Sequence, residues 1–215
     1  MEMEKGVNVS MRYFSYVVAR DYGFAPNPYG NVCTLATCKP DIRKAAKVGD
    51  WIFGTGSVQN VGRDKLIYAM KVDEIISFND YFSDQRFKHK KPNMLGSKIQ
   101  MYGDNIYELK DGIWHQSDSH HSLTGGMTNE VNLKKDTKST NVLISLNYYY
   151  FGQDAIAIPH EIKGDVLKKG QGYRYIRDPE IADELIKHIE FQSRKKGMIG
   201  FPCKFKSDFT RFKGD

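Results

Sequence analysis

Val48-Gly49-Asp50-Trp51-Ile52-Phe53-Gly54-Thr55-Gly56-Ser57 is the stretch whose reading decides the fold. Gly49-Asp50 signals a tight turn. Trp51, Ile52 and Phe53 form an apolar run too short for a helix and built of strand formers. Gly54-Thr55-Gly56-Ser57 then reads as a loop of small residues with flexible backbone and two hydroxyl groups. A strand that ends this way leaves room for a ligand. It is equally an ordinary strand entering an ordinary loop.

The chain around this stretch reads as an α+β protein. Arg12 to Arg20 predicts a first strand. The loop from Asp21 to Gly30 follows, with two prolines and three aromatics. Cys33 to Cys38 reads as buried, and Lys39 to Lys47 as a short basic helix with Pro40 in its first turn. After a turn at Asn60 to Asp64, Lys65 to Ile76 reads as one long strand, and Ser77 to Phe87 as a short helix. Lys88 to Pro92 reads as a basic, solvated loop.

Residues 93–140 form a polar, weakly periodic insertion. Short strands are expected there at Ile106 to Leu109 and Ile113 to His115, about an Asp111-Gly112 turn. Gln116 to Ser122 holds His120 and His121, which reads as a polar loop rather than a metal site. Adjacent histidines on a strand face opposite ways. Asn141 to Gly152 predicts a buried strand and Ala155 to Pro159 a short one. Asp178 to Ile189 is the clearest helix, with an Asp178 cap, Pro179 at the first position, and a stripe of Ile181, Leu185 and Ile189 closed near Gly197.

The 215 residues are expected to form a single domain. No apolar run approaches a membrane span. Residues 1–10 read as an irregular start without an apolar signal region, so a cytoplasmic protein is expected. Cys33, Cys38 and Cys203 are too few for a disulfide scaffold and read as buried free thiols. The net charge of +6 and 13% aromatic content permit a nucleic-acid partner. Much of that charge sits in residues 194–215, where Phe201, Phe205, Phe209 and Phe212 are interleaved with lysine and arginine. This tail reads either as a phosphate-contacting arm or as a strap packing its phenylalanines on the domain.

Several of these segments resemble a known family. Tyr16 to Pro28, Cys33 to Pro40 and Val48 to Ser57 carry most of the likeness; Asp84 to Phe87, Ser119 to Ser122, Val142 to Ser145 and Tyr149 to Gly152 add to it. Together they resemble the nucleotide modification associated domain, type 2, of bacterial and phage systems. The order of elements also resembles, in layout, the PUA-like superfamily with its EVE and ASCH domains. That likeness implies a mixed or antiparallel β-barrel with flanking helices and a pocket for one nucleobase.

The reading that follows is a non-catalytic reader of a modified nucleobase in DNA or RNA. Asp21, Tyr22, Phe24, Asn27, Trp51, Thr55, Ser57 and His121 are the candidates for base contacts. Lys39, Arg43, Lys44 and Lys88 are the candidates for phosphate contacts. Two alternatives stay open: a free-nucleotide binder, and a hydrolase or transferase acting on a modified base or nucleotide. For the latter, Asp21, Asp50, His121 and Cys33 are the available groups, but no recognisable catalytic motif appears. No cofactor is expected.

Overall fold

The computed structural model describes residues 11–214; the irregular start expected over residues 1–10 lies outside the described residues. Strand β1 (Tyr13–Val17) and strand β2 (Cys33–Leu35) flank the Pro-rich loop, and helix α1 (Pro40–Ala45) has proline in its first turn, where a missing N–H does no harm. The Gly49-Asp50 turn leads into β3 (Trp51–Thr55). That strand runs two residues further than expected. Gly54 is part of it because the Tyr68 ring lies across the backbone there: an added Cβ would stand 2.2 Å from Tyr68 Cε1.

Two segments expected as single strands are each broken. Residues 65–76 form β4 (Lys65–Lys71) and β5 (Glu74–Ser77). After the hairpin β6 (Tyr107–Lys110) and β7 (Ile113–Gln116), residues 141–151 form β8 (Asn141–Ser145) and β9 (Asn147–Tyr150). Strand β4 pairs with β9, and β5 with β8, so one long antiparallel ribbon bends at a common level. Asp73 stabilises the bend: its Oδ2 accepts from the N–H groups of Leu146 (2.6 Å) and Asn147 (3.1 Å).

The ribbon joins two sheets. In the larger, β1 lies between β3, to which it is parallel, and β11 (Tyr173–Ile176); the order then runs β3, β4, β9 and β12 (Gly197–Met198), while β10 (Ile156–Ala157) also pairs with β4. The smaller sheet has the order β2-β8-β5. The α+β class is therefore as expected. The strands among the described residues form open sheets with no closed barrel.

Side chains alternate across the large sheet, as a strand's two-residue period requires. Tyr13, Trp51, Phe53, Tyr149 and Phe151 face the short helix α5 (Lys163–Val166), which adds Val166, and helix α6 (Pro179–Gln192), which buries Ala182, Leu185 and Ile189 on them. Asp178 caps α6 by accepting from Glu180 N–H. The helix ends at Gln192; Gly197, expected to close it, opens β12 instead. On the other face, Phe14, Tyr16, Ile52, Tyr68 and Tyr150 pack on Leu35, Ile42 and Leu143. Under the small sheet lies a third core of Phe24, Phe78, Tyr81, Tyr102, Tyr107 and Leu133. This last core is built largely by residues 78–140, which include α2 (Phe78–Ser83), α3 (Lys98–Met101) and α4 (Glu130–Asp136). The polar insertion is thus ordered structure.

Candidate active site

Cys38 lies between β2 and α1 in a backbone conformation that side-chain-bearing residues rarely adopt, with φ +56°; Lys39 follows at φ +39°. Left-handed backbone of this kind costs roughly 1–2 kcal/mol per residue, and it persists only where neighbours enforce it. Here they do. The Cys38 N–H donates to Asp136 Oδ1 at 2.8 Å, and the Cys38 carbonyl accepts from Arg43 Nε at 2.9 Å.

Arg43 is fully buried and fixes several carbonyls at once. Besides Cys38, its guanidinium donates to the carbonyls of Asp136 (2.6 Å), Ser139 (2.5 Å) and Asn141 (2.8 Å). It ties α1 to the end of α4.

Asp136, the last residue of α4, is buried and uses both carboxylate oxygens. Oδ1 holds the Cys38 backbone; Oδ2 accepts from His121 Nδ1 and from the Tyr107 hydroxyl, both at 2.8 Å. On its other side, His121 Nε2 lies 3.6 Å from Cys38 Sγ. Thiol, imidazole and carboxylate therefore stand in line. His121 and Asp136 are buried, whereas Cys38 is half-buried.

The electrostatics follow from this order. Burial pulls the His121 imidazolium down, but Asp136 and Cys38 outweigh burial and hold it at about 10. Burial pushes the Asp136 carboxyl up; His121 and Arg43 reverse that and hold it below its ordinary value. His120 has no such partner. Burial, and then the charge on His121, take it down to about 3. The two adjacent histidines thus differ in charge at neutral pH.

The same three donor atoms lie within 4.8 Å of one another, a cysteine-histidine-carboxylate set able to hold a soft divalent ion. Cys33 and Cys203 are of another kind: burial pushes both thiols up to about 12.

Of the residues predicted for base contacts, the structure gathers Tyr22, Phe24 and His121. The Phe24 ring centre lies 4.7 Å from that of His121, and Tyr22 stacks on Tyr102 at 5.4 Å. The others stand elsewhere, with their polar atoms engaged inside the fold. Thr55 Oγ1 donates to the Tyr16 carbonyl, and Ser57 Oγ to the Ala19 carbonyl. Asp21 accepts from the Tyr150 hydroxyl and the Cys203 N–H. Trp51 stacks on Phe53 on the face covered by α6. Asn27 accepts at Oδ1 from Lys90 Nζ at 2.7 Å. Lys90 is itself buried, so the basic run 88–92 is not the wholly solvated loop expected.

Among the phosphate candidates, Lys39 adjoins the thiol, and Lys44 is exposed on α1. Exposed Lys88 lines a separate cavity of about 310 Å³ with His89, Lys91 and Asn93. Of the acid-base candidates, Asp50 pairs with Arg12 at 2.7 Å.

Sequence reasoning missed Cys38 as a reactive group and Asp136 altogether. The left-handed backbone at Cys38 leaves no mark in the sequence, and Asp136 falls in the polar, weakly periodic stretch 93–140.

An α+β fold presenting an aligned Cys-His-Asp set defines a thiol-centred site. The chain belongs to the nucleotide modification associated domain 2 family, whose model matches residues 10–209. All the residues of this site lie inside that match. No curated protein and no solved structure matches the chain. No helix among the described residues is long and apolar enough to cross a membrane.

Proposed function

We propose that this protein is an enzyme of nucleic-acid modification, in which Cys38 is the nucleophile, His121 the acid and base, and Asp136 the group that orients His121. The observation that carries it is the line from Cys38 Sγ to His121 Nε2 at 3.6 Å and from His121 Nδ1 to Asp136 Oδ2 at 2.8 Å. The family's description, nucleotide modification associated, supports a role linked to nucleic-acid modification.

An imidazolium donates from both ring nitrogens. With Nδ1–H on Asp136, Nε2–H points at sulfur, the polarity of a thiolate-imidazolium pair. The thiolate attacks an electrophilic carbon on a modified base, and a carbon–sulfur bond forms. The leaving group departs with its electron pair and takes the Nε2 proton. Neutral His121 then removes a proton from water, the resulting hydroxide displaces sulfur, and the thiolate-imidazolium pair is restored. With another nucleophile in place of water, the same steps give group transfer.

Half-buried Tyr22, beside His120, supports a nucleobase as the bound group, since base stacking on aromatic rings is sequence-tolerant. Three free cysteines suit a reducing, cytoplasmic setting.

The test is iodoacetamide alkylation followed by peptide mass mapping between pH 5 and 9. Cys38 is expected to react at least tenfold faster in the wild type than in His121→Gln. Equal reactivity of Cys38 in both proteins overturns the reading. So does a stoichiometric metal that blocks Cys38 and is lost with His121.

A further inference from the structure

The triad is bordered by cations that have no carboxylate partner. Lys39 follows the nucleophile directly in the chain, and Lys135 directly precedes Asp136. Arg20 approaches from the end of the first strand's extension. Its guanidinium carbon lies 5.3 Å from the centre of the Phe212 ring, and Lys135 Nζ lies 6.0 Å from the same ring. That ring is 5.6 Å from the ring of His121. None of the three cations has a carboxylate within 4.0 Å among the described residues.

Lys39 is the most telling. It is half-buried, with Nζ 4.6 Å from the centre of the Tyr16 ring and 3.4 Å from the Val17 carbonyl oxygen. A partly desolvated ammonium with only a ring face and one carbonyl is poorly compensated. Burial disfavours its charge, Cys38 beside it favours that charge, and Lys135 disfavours it. An anion beside these groups would relieve both costs. Among the described residues no carboxylate is free to do so, since Asp136 is committed to Cys38, His121 and Tyr107, and the Cys38 sulfur is the reacting group.

We infer that Arg20, Lys39 and Lys135 form a phosphate site at the mouth of the thiol centre, so that the substrate reaches Cys38 as a phosphorylated nucleotide or as a nucleotide within a strand. This rests on the thiol reading for its role, but not for its measurement. A phosphate held beside Cys38 anchors the substrate by charge, while the half-buried Tyr22 is the ring nearest to hand for the base. The trio is a positioning and specificity device; it takes no proton in the reaction.

The experiment uses the full chain and two readouts. The first is protection of Cys38 from iodoacetamide, a neutral reagent indifferent to added charge. Inorganic phosphate, nucleosides, the matching 5′-monophosphates and a short single-stranded oligonucleotide are compared. The 5′-monophosphates or the oligonucleotide should slow alkylation about tenfold at concentrations where the nucleosides do nothing. Lys39→Met and the double variant Arg20→Gln with Lys135→Gln should each remove that difference while alkylation without ligand continues.

The second readout, calorimetric binding of the same probes, needs no reactive thiol. Binding by mononucleotides points to a free nucleotide, and binding by the oligonucleotide alone to a strand; both uphold the site. If Cys38 is hyperreactive yet phosphorylated and unphosphorylated probes bind alike, the phosphate site falls and the thiol reading stands. If Cys38 is unreactive but Lys39-dependent phosphate binding persists, the reverse holds. Binding unchanged in the Lys39→Met and double variants overturns the assignment of the three residues.

Discussion

The carboxylate of Asp136 holds the backbone of Cys38: Oδ1 accepts the Cys38 N–H at 2.8 Å across 98 positions of sequence. Asp136 thus fixes the Cys38 backbone as well as the ring of His121, the two partners of the proposed reaction. Asp136→Asn keeps an acceptor for Cys38 but can turn an amide donor toward His121. Activity is expected to drop by about 10³–10⁴-fold. Asp136→Ala also leaves Arg43 without its compensating charge and should destabilise by about 3–5 kcal/mol. Turnover assays and urea unfolding measure the two effects; an Asn variant with full activity would remove Asp136 from the mechanism.

Stability should vary with pH in two opposed arms. Folded His121 keeps its proton up to about 10, against 6.5 ordinarily, so its contribution is complete below 6.5 and drains as pH rises through 10. Asp136, held low by His121 and Arg43, contributes above its ordinary range and is lost in acid. His120, held down to about 3, resists the proton that the unfolded chain accepts, and so costs stability as pH falls from 6.5 toward 3. Urea midpoints taken from pH 4 to 10.5 should fall at both ends. His121→Gln should flatten the alkaline arm and His120→Gln should soften the acid one. A wild-type midpoint constant from pH 7 to 10.5 would contradict the ion pair.

Cys38→Gly is expected to abolish activity and raise the thermal midpoint. Glycine accepts φ +56° without strain, a gain of about 1 kcal/mol. A thiol retained for packing would give the opposite sign. Cys33→Ala is the contrast: Cys33 lies in the core, and losing it should lower stability.

Arg43→Lys should be costly despite keeping the charge. One ammonium cannot reach the carbonyls of Cys38, Asp136, Ser139 and Asn141 that the planar fork spans. A loss of about 2–4 kcal/mol is expected. Backbone amide exchange should also quicken around residues 37–39; unchanged exchange there would show that Arg43 does not hold the thiol loop.

Much of the fold was legible in short patterns. The Gly49-Asp50 turn, the Trp51-Ile52-Phe53 strand and the Asp178-Pro179 helix start are local signals, and each element formed where expected. What escaped was set by distant partners. The bend at Asp73 depends on Leu146 and Asn147 across the ribbon, and the extra length of β3 depends on the ring of Tyr68. The site escaped for the same reason. His121 was singled out among the base contacts, but its thiol and carboxylate partners lie 83 positions before it and 15 after it. The cysteine the sequence favoured as a possible nucleophile, Cys33, lies in the core.

The tail bears on how the protein is born. Thr210 and Phe212 are hydrogen-bonded to His120, and the Phe212 carbonyl accepts from Asn132, whose amide also holds the His121 carbonyl. Cys38 leaves the ribosome long before these residues are made. During synthesis the thiol is present while the loop that carries its base still lacks its last supports. On the proposed mechanism, activity therefore waits for the tail to be made, and until then the line from Cys38 through His121 lacks the supports that Thr210 and Phe212 give it.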